Sequence, residues 1–277
     1  MNLFDAVVLG VVEGLTEFLP VSSTGHLTIV EKILGLPIDD KGVTGFTAVI
    51  QTGAIAAVLL YFRTDIIKIV ATWFRGVVRA EVRGDLEYRL GWYVIVGSIP
   101  VVIAALAAKS LVTGPLRNLW WVGSALVAWS AVMVIAERRG TRKRPERDLN
   151  FTDAISIGLV QCISLVPGVS RSGATISAGL LRNLERVAAT RFSFFLSIPA
   201  LVGAGLYELP SALNDQSNIS AAYTITSTIV SFVVAYVSIA WLLRFVSHHS
   251  IAWFVPYRLV VGGVLLLLLA ANLISAT

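Results

Sequence analysis

The chain has 277 residues, of which 56% are hydrophobic and only 14% charged, with a mean hydropathy of +0.79. A water-soluble domain carries about 25% charged residues, so the composition excludes an ordinary soluble fold and points to an all-α integral membrane protein. The net charge of +5 would suggest nucleic acid in a soluble chain, but here the basic residues fall in short loops between apolar runs, where they report membrane orientation; no nucleic-acid partner is expected. A single cysteine, Cys162, excludes an internal disulfide framework and a multi-cysteine metal site, and it reads as a small packing residue.

The first apolar run, residues 3–19, lacks a Lys/Arg cluster ahead of it and is interrupted by Asp5, Glu13 and Glu17, so a cleavable signal peptide is not expected. It stops at Pro20 and is followed by Val21-Ser22-Ser23-Thr24-Gly25 and a second apolar stretch, 26–36. A bilayer core about 30 Å thick needs roughly 20 apolar residues of helix, and this run reaches only part-way across. Three spans are predicted next, at 44–62, 92–109 and 119–137. The run 153–166 then repeats the short pattern: it stops at Pro167-Gly168, followed by Val169-Ser170-Arg171-Ser172-Gly173 and the stretch 174–181. Three more spans, 191–208, 222–243 and 255–275, complete the chain. Trp73, Trp92, Trp120, Trp121, Trp241 and Trp253 lie near proposed ends, as interfacial aromatics do. The prediction is six transmembrane helices plus two re-entrant helical hairpins; irregular backbone at membrane depth is tolerated only when buried in protein or lining a wet cavity.

Loop 63–91 carries Arg63, Lys68, Arg75, Arg79, Arg83 and Arg89, and loop 138–152 carries Arg138, Arg139, Arg142, Lys143, Arg144 and Arg147. Loop 110–118 offers only Arg117, and loop 209–221 no Lys or Arg. The first two are therefore expected in the cytoplasm and both termini outside. The first hairpin then enters from outside and the second from the cytoplasm.

The two short runs align without a gap at a constant offset of 148 residues: Asn2 with Asn150, Asp5 with Asp153, Gly10 with Gly158, Val21 with Val169, Ser22 with Ser170 and Gly25 with Gly173. Asp5 and Asp153 are expected helix-start residues. One membrane domain, 1–277, with repeats at about 2–137 and 150–277, follows. An odd number of spans per repeat makes the repeats inverted, an architecture known from transporters.

Glu13 and Glu17 share one helix face. Carboxylates at this depth are expensive and functional by default, and a Mg²⁺ or Ca²⁺ between them would relieve their repulsion; a water-facing pair and a proton or Na⁺ relay are the other readings. Ser22, Ser23 and Thr24 open a return helix whose free N–H groups favour phosphate, or they simply cap it. His26 beside them reads as a general acid or base, against the commoner packed histidine. Arg171 needs an anionic partner, a phosphate or an ion pair with Glu13 or Glu17; Ser170, Ser172, Gly173 and Thr175 surround it. Gln51 sits mid-span, lining the site or bonding across helices. His248 and His249 read as interfacial. These ingredients suit phosphoryl transfer, which depends on positioning and charge neutralisation.

Residues 13–26, Glu-Gly-Leu-Thr-Glu-Phe-Leu-Pro-Val-Ser-Ser-Thr-Gly-His, and 167–175, Pro-Gly-Val-Ser-Arg-Ser-Gly-Ala-Thr, resemble the two signatures of the bacterial undecaprenyl-diphosphatase family of the bacitracin-resistance type. The resemblance implies hydrolysis of undecaprenyl diphosphate to undecaprenyl phosphate and inorganic phosphate, in the bacterial plasma membrane, with a divalent cation, and a fold of six spans and two re-entrant hairpins. It points to Glu13, Glu17, Ser23, His26, Ser170, Arg171 and Thr175. The expected scheme has the prenyl tail among the spans and the diphosphate between the tips. Glu13 and Glu17 hold the metal, Arg171 with Ser170, Ser172 and Thr175 holds phosphate, and Ser23 (Ser22 second) or water attacks, with His26 or Glu17 taking the proton. The site is expected to open outward. The rival is a transporter or flippase for polyprenyl phosphate or another anion; a bare scaffold fits buried Glu and Arg poorly. A homodimer is compatible with the sequence.

Overall fold

A computed structural model describes residues 1–37, 41–108, 116, 118–214 and 219–276. The described residues are almost entirely helical. Among the described residues, six helical stretches are long and apolar enough to cross a membrane: Gly42–Tyr61, Leu86–Ala107, Leu119–Arg139, Arg186–Leu206, Ala221–His248 and Ile251–Ala270. They correspond to the six predicted spans. The predicted loop 110–118 lies almost wholly outside the described residues, as do 215–218 of the loop 209–221.

The helices are α1 (Leu3–Thr16), α2 (Ser23–Ile33), α3 (Lys41–Tyr61), α4 (Arg63–Val78), α5 (Leu86–Ala107), α6 (Leu119–Arg139), α7 (Phe151–Gln161), α8 (Arg171–Leu181), α9 (Arg186–Asn214), α10 (Ala221–His248) and α11 (Val255–Ala270). The segment 63–91, expected as a loop, is instead α4, a 3₁₀ turn at Ala80–Gly84 and the first turn of α5. Its charges lower the hydropathy without lowering helix propensity, so a hydropathy reading misses an amphipathic helix. Phe74 and Val78 are exposed on it.

α1 and α7 begin in the same way. Asn2 accepts from the Asp5 N–H (3.0 Å) while Asp5 accepts from the Asn2 N–H (2.7 Å). Asn150 and Asp153 repeat the box at 3.0 and 3.1 Å. The aspartates therefore close capping boxes whose N-caps are the asparagines. Each helix then crosses another at very short range. α1 lies on α10, where a Cβ on Gly10 or Gly14 would come within 2.5 Å of the Ser227 or Ser231 carbonyl oxygen. α7 lies on α5, where a Cβ on Gly158 would overlap the Gly97 carbonyl. Small residues permit such approach between membrane helices.

Arg142 and Arg144, which count toward the predicted orientation, join Arg182, Arg186 and Arg191 in tying helix ends together. Asp153, fully buried, takes ion pairs from Arg144 (2.6 Å) and Arg182 (2.8 Å), joining the start of α7 to the end of α8. Glu137 at the end of α6 pairs with Arg142 (2.8 Å) and Arg186. Arg191 pairs with Asp65 (3.0 Å) and Glu146 (3.1 Å). Replacing Asp153 with alanine leaves two guanidinium groups without their buried acceptor and is expected to cost about 3 kcal/mol. The loss reads out as a lower Tm of the detergent-solubilised protein.

Candidate active site

Two turns meet at the centre of the molecule. The first, residues 17–22, links α1 to α2; the second, 166–170, links the 3₁₀ turn after α7 to α8. Ser22 and Ser170 are the N-caps of α2 and α8, and both take positive φ, 80° and 76°. That backbone conformation is costly for a side-chain-bearing residue. Each serine Oγ accepts from an N–H three residues on, Gly25 (3.4 Å) and Gly173 (3.1 Å). Two bonds cross between the turns: the Gly168 N–H donates to Ser22 Oγ (3.0 Å), and the Ser172 hydroxyl donates to the Leu19 carbonyl (2.9 Å). Ser22, Ser170 and Ser172 are all buried.

Arg258 on α11 clamps the same junction. It is wholly buried. Its Nη1 donates to the Pro20 carbonyl (2.9 Å), and its Nη2 to the carbonyls of Gly168 (2.9 Å), Val169 (3.3 Å) and Leu126 (3.3 Å). Its Nε donates to Ser130 Oγ (3.2 Å). Both turns are therefore held by one cation whose hydrogen-bond partners among the described residues are all neutral. A buried charge compensated only by dipoles leaves a positive potential beside the turns. Arg258 is not among the site residues expected from the sequence, because it lies inside a predicted span. A lone arginine in an apolar run was the signal available.

The candidate reactive groups lie where the turns touch. Glu13, 1% exposed, lies in the last turn of α1, and Glu17, 7% exposed, is its C-cap at the start of the first turn. The Ser23 hydroxyl, half-buried at the start of α2, donates to Glu17 Oε2 at 2.5 Å. Arg171 reaches across from α8: its Nη2 lies 3.4 Å from Glu17 Oε1, and its Nη1 donates to the Ser193 carbonyl at 3.2 Å. Its guanidinium also lies over the Phe18 ring, 5.9 Å from the centroid. At 3.4 Å the ion pair is longer than a strong charge-assisted bond, and the buried Arg171 Nε has no partner among the described residues. Arg171 thus has capacity left for a further acceptor. Thr175 is held by the Arg171 carbonyl (2.9 Å) and by Ser193 Oγ (2.6 Å).

His26 is close but engaged elsewhere. Its Nδ1 lies 2.8 Å from the Ser22 carbonyl, and its Nε2 lies 2.7 Å from the Tyr257 hydroxyl. Among the described residues the Thr24 side chain is exposed and takes no part in the bonds between the turns. Gln51 is half-buried on α3, and no hydrogen bond links it to the turns among the described residues. The sequence expectations thus come together at Glu13, Glu17, Ser22, Ser23, Ser170, Arg171, Ser172, Gly173 and Thr175. Ser193, Tyr257 and Arg258 join them without having been foreseen.

The donor set suits a divalent cation in one respect. Buried Glu13 Oε1 has no hydrogen-bond partner among the described residues, and the neighbouring carboxylate repels it, a combination that a cation relieves. Among the described residues no group of three or more His, Cys, Asp or Glu side chains could form an all-protein cage. Such an ion would draw its other ligands from phosphate and water, as Mg²⁺ commonly does.

The family model described as bacitracin resistance protein BacA matches residues 6–264. The chain is 54% identical over 278 residues to undecaprenyl-diphosphatase 3 of Frankia casuarinae, covering 100% of both chains. It is 55% identical over 276 residues to undecaprenyl-diphosphatase 1 of Streptomyces avermitilis, covering 99% of each. To the undecaprenyl-diphosphatase of Acidothermus cellulolyticus it is 52% identical over 276 residues, covering 100% of both. With matches that run end to end and include both turns, the chain belongs to the bacitracin resistance protein BacA family.

Proposed function

We infer that this protein is a multi-pass membrane enzyme that hydrolyses undecaprenyl diphosphate to undecaprenyl phosphate and inorganic phosphate, returning the lipid carrier to cell-wall synthesis. The observation that carries the chemistry is the contact of Ser23, Glu17 and Arg171: a hydroxyl on a carboxylate at 2.5 Å, facing a guanidinium from the other turn.

In the proposed reaction the diphosphate displaces the long Arg171–Glu17 contact, and its oxygens take up the spare donors of Arg171. The N-termini of α2 and α8 add their dipoles. Ser23 Oγ attacks the terminal phosphorus as its proton passes to Glu17 Oε2. The bond between that phosphorus and the bridging oxygen breaks, and undecaprenyl phosphate leaves. Water then opens the phosphoserine, releasing phosphate and returning the proton of Glu17 to Ser23. Glu13 and Glu17 would hold a Mg²⁺ or Ca²⁺, which neutralises charge on the phosphates when bound. Ser22 is committed to two backbone N–H groups, and this favours Ser23 as the nucleophile.

The two helix–turn–helix units are proposed as re-entrant hairpins related by an inverted repeat. Their capping boxes, positive-φ serines and glycine crossings recur at the same offset of 148 residues. The site is proposed to open outward, where the carrier is left as the diphosphate, with both termini external.

Purified protein given undecaprenyl diphosphate and Mg²⁺ in detergent is expected to release inorganic phosphate. Chelating the metal with EDTA is expected to stop release, and added Mg²⁺ to restore it. A carrier without hydrolytic activity would release none, and full activity in EDTA would remove the metal from the scheme.

A further inference from the structure

Glu17 holds the Ser23 proton after the first step, so the water that opens the phosphoserine needs a second base. His26 is the nearest histidine, yet it does not face Ser23. A carbonyl oxygen only accepts, so the contact with Ser22 fixes a proton on His26 Nδ1. In the neutral ring Nε2 then carries the lone pair, and the Tyr257 hydroxyl donates to it at 2.7 Å. The two rings lie nearly parallel, 13° apart. His26 is 7% exposed whereas Tyr257 is 48% exposed, so the tyrosine can be reached from the protein surface while the imidazole it touches cannot. Its position is fixed from below, because the next residue, Arg258, is bonded to both turns.

We propose that Tyr257 is a catalytic residue of the second step, the group through which His26 acts on water. As water attacks the phosphoserine phosphorus, its proton passes to Tyr257 Oη while the tyrosine's own proton passes to His26 Nε2. The phosphorus–Oγ bond breaks, Glu17 returns its proton to Ser23, and the imidazolium gives up its proton to solvent as phosphate leaves. This relay rests on the diphosphatase reading above and on Ser23 as its nucleophile.

The test is Tyr257→Phe, which keeps the ring and removes the hydroxyl, compared with His26→Ala and the double variant. Phosphate release by Tyr257→Phe is expected to fall about 10²-fold in kcat. Rapid quenching with substrate labelled in its terminal phosphate is expected to show phosphoenzyme accumulating in Tyr257→Phe and in His26→Ala but not in the wild type. Because both residues serve one relay, the double variant is expected to be no slower than His26→Ala alone. Wild-type turnover by Tyr257→Phe, losses that multiply in the double variant, or a slow variant without trapped phosphoenzyme would each overturn the relay. An inactive wild-type protein would instead overturn the diphosphatase reading itself.

Discussion

Replacing Ser23 with alanine is expected to lower phosphate release by roughly 10³-fold or more, the scale seen when a nucleophile is removed from a set of groups acting as a unit. The expectation follows from geometry. The Ser23 hydroxyl points at Glu17 Oε2 over 2.5 Å, so the proposed nucleophile and base are already paired, as activation of a weak nucleophile requires. Ser22 offers the contrast. Its hydroxyl oxygen caps α2 and also receives the Gly168 N–H, so Ser22→Ala is expected to loosen the junction of the turns and lower Tm while leaving phosphoenzyme formation intact. Steady-state phosphate release and acid-quench trapping, run on both variants, separate the roles. Near-normal turnover by Ser23→Ala would mean that water attacks phosphorus directly, with Glu17 as its base.

The parts of the site that were legible in the sequence are those whose chemistry is misplaced in an apolar chain. Glu13, Glu17 and Arg171 are ionisable groups in apolar runs, where charge is expensive, and that expense marks them as candidates before any geometry. The two turns were legible because prolines halt short helices and because the surrounding residues recur at one offset. What the sequence could not show was the distribution of partners. Ser22 and Ser23 are adjacent hydroxyls of the same type, and only the positive φ of Ser22 and its bond to Gly168 separate capping from chemistry. His26 appeared next to Ser23 along the chain, but one turn of α2 directs its ring to Tyr257 instead. Tyr257 and Arg258 were hidden because their span met the hydropathy criterion despite them. The helix at Arg63–Val78 was missed for the opposite reason, since its charges hid an apolar face.

The charge distribution explains why two distant turns can be brought together without mutual repulsion or collapse. On one side of the junction Arg258 is surrounded by neutral acceptors, and on the other Arg171 opposes two carboxylates. An ion pair of standard geometry between Arg171 and Glu17 would compete with substrate; the 3.4 Å contact, with Arg171 Nε left over, is easier to exchange for a phosphate. The fixed cation holds the backbone, and the exchangeable one is the proposed partner of the ligand.

That division predicts the outcome of changing Arg171 to lysine. The substitution keeps a positive charge but removes the planar fork, with its Nε and paired Nη donors. Lysine can still approach Glu17, so the fold and Tm are expected to stay near the wild type. The ammonium cannot at once reach the Ser193 carbonyl, which now holds Nη1, and present two parallel donors to phosphate oxygens. Loss of such preorganised donors typically costs about 10²-fold in kcat, and this is the fall expected in phosphate release. Because the donors act on charge that builds at the equatorial oxygens during transfer, the deficit should appear in kcat more than in KM. A rise in KM alone would restrict Arg171 to ground-state binding, and unchanged kinetics would remove it from the phosphate site, leaving its pair with Glu17 as a purely structural link between the turns.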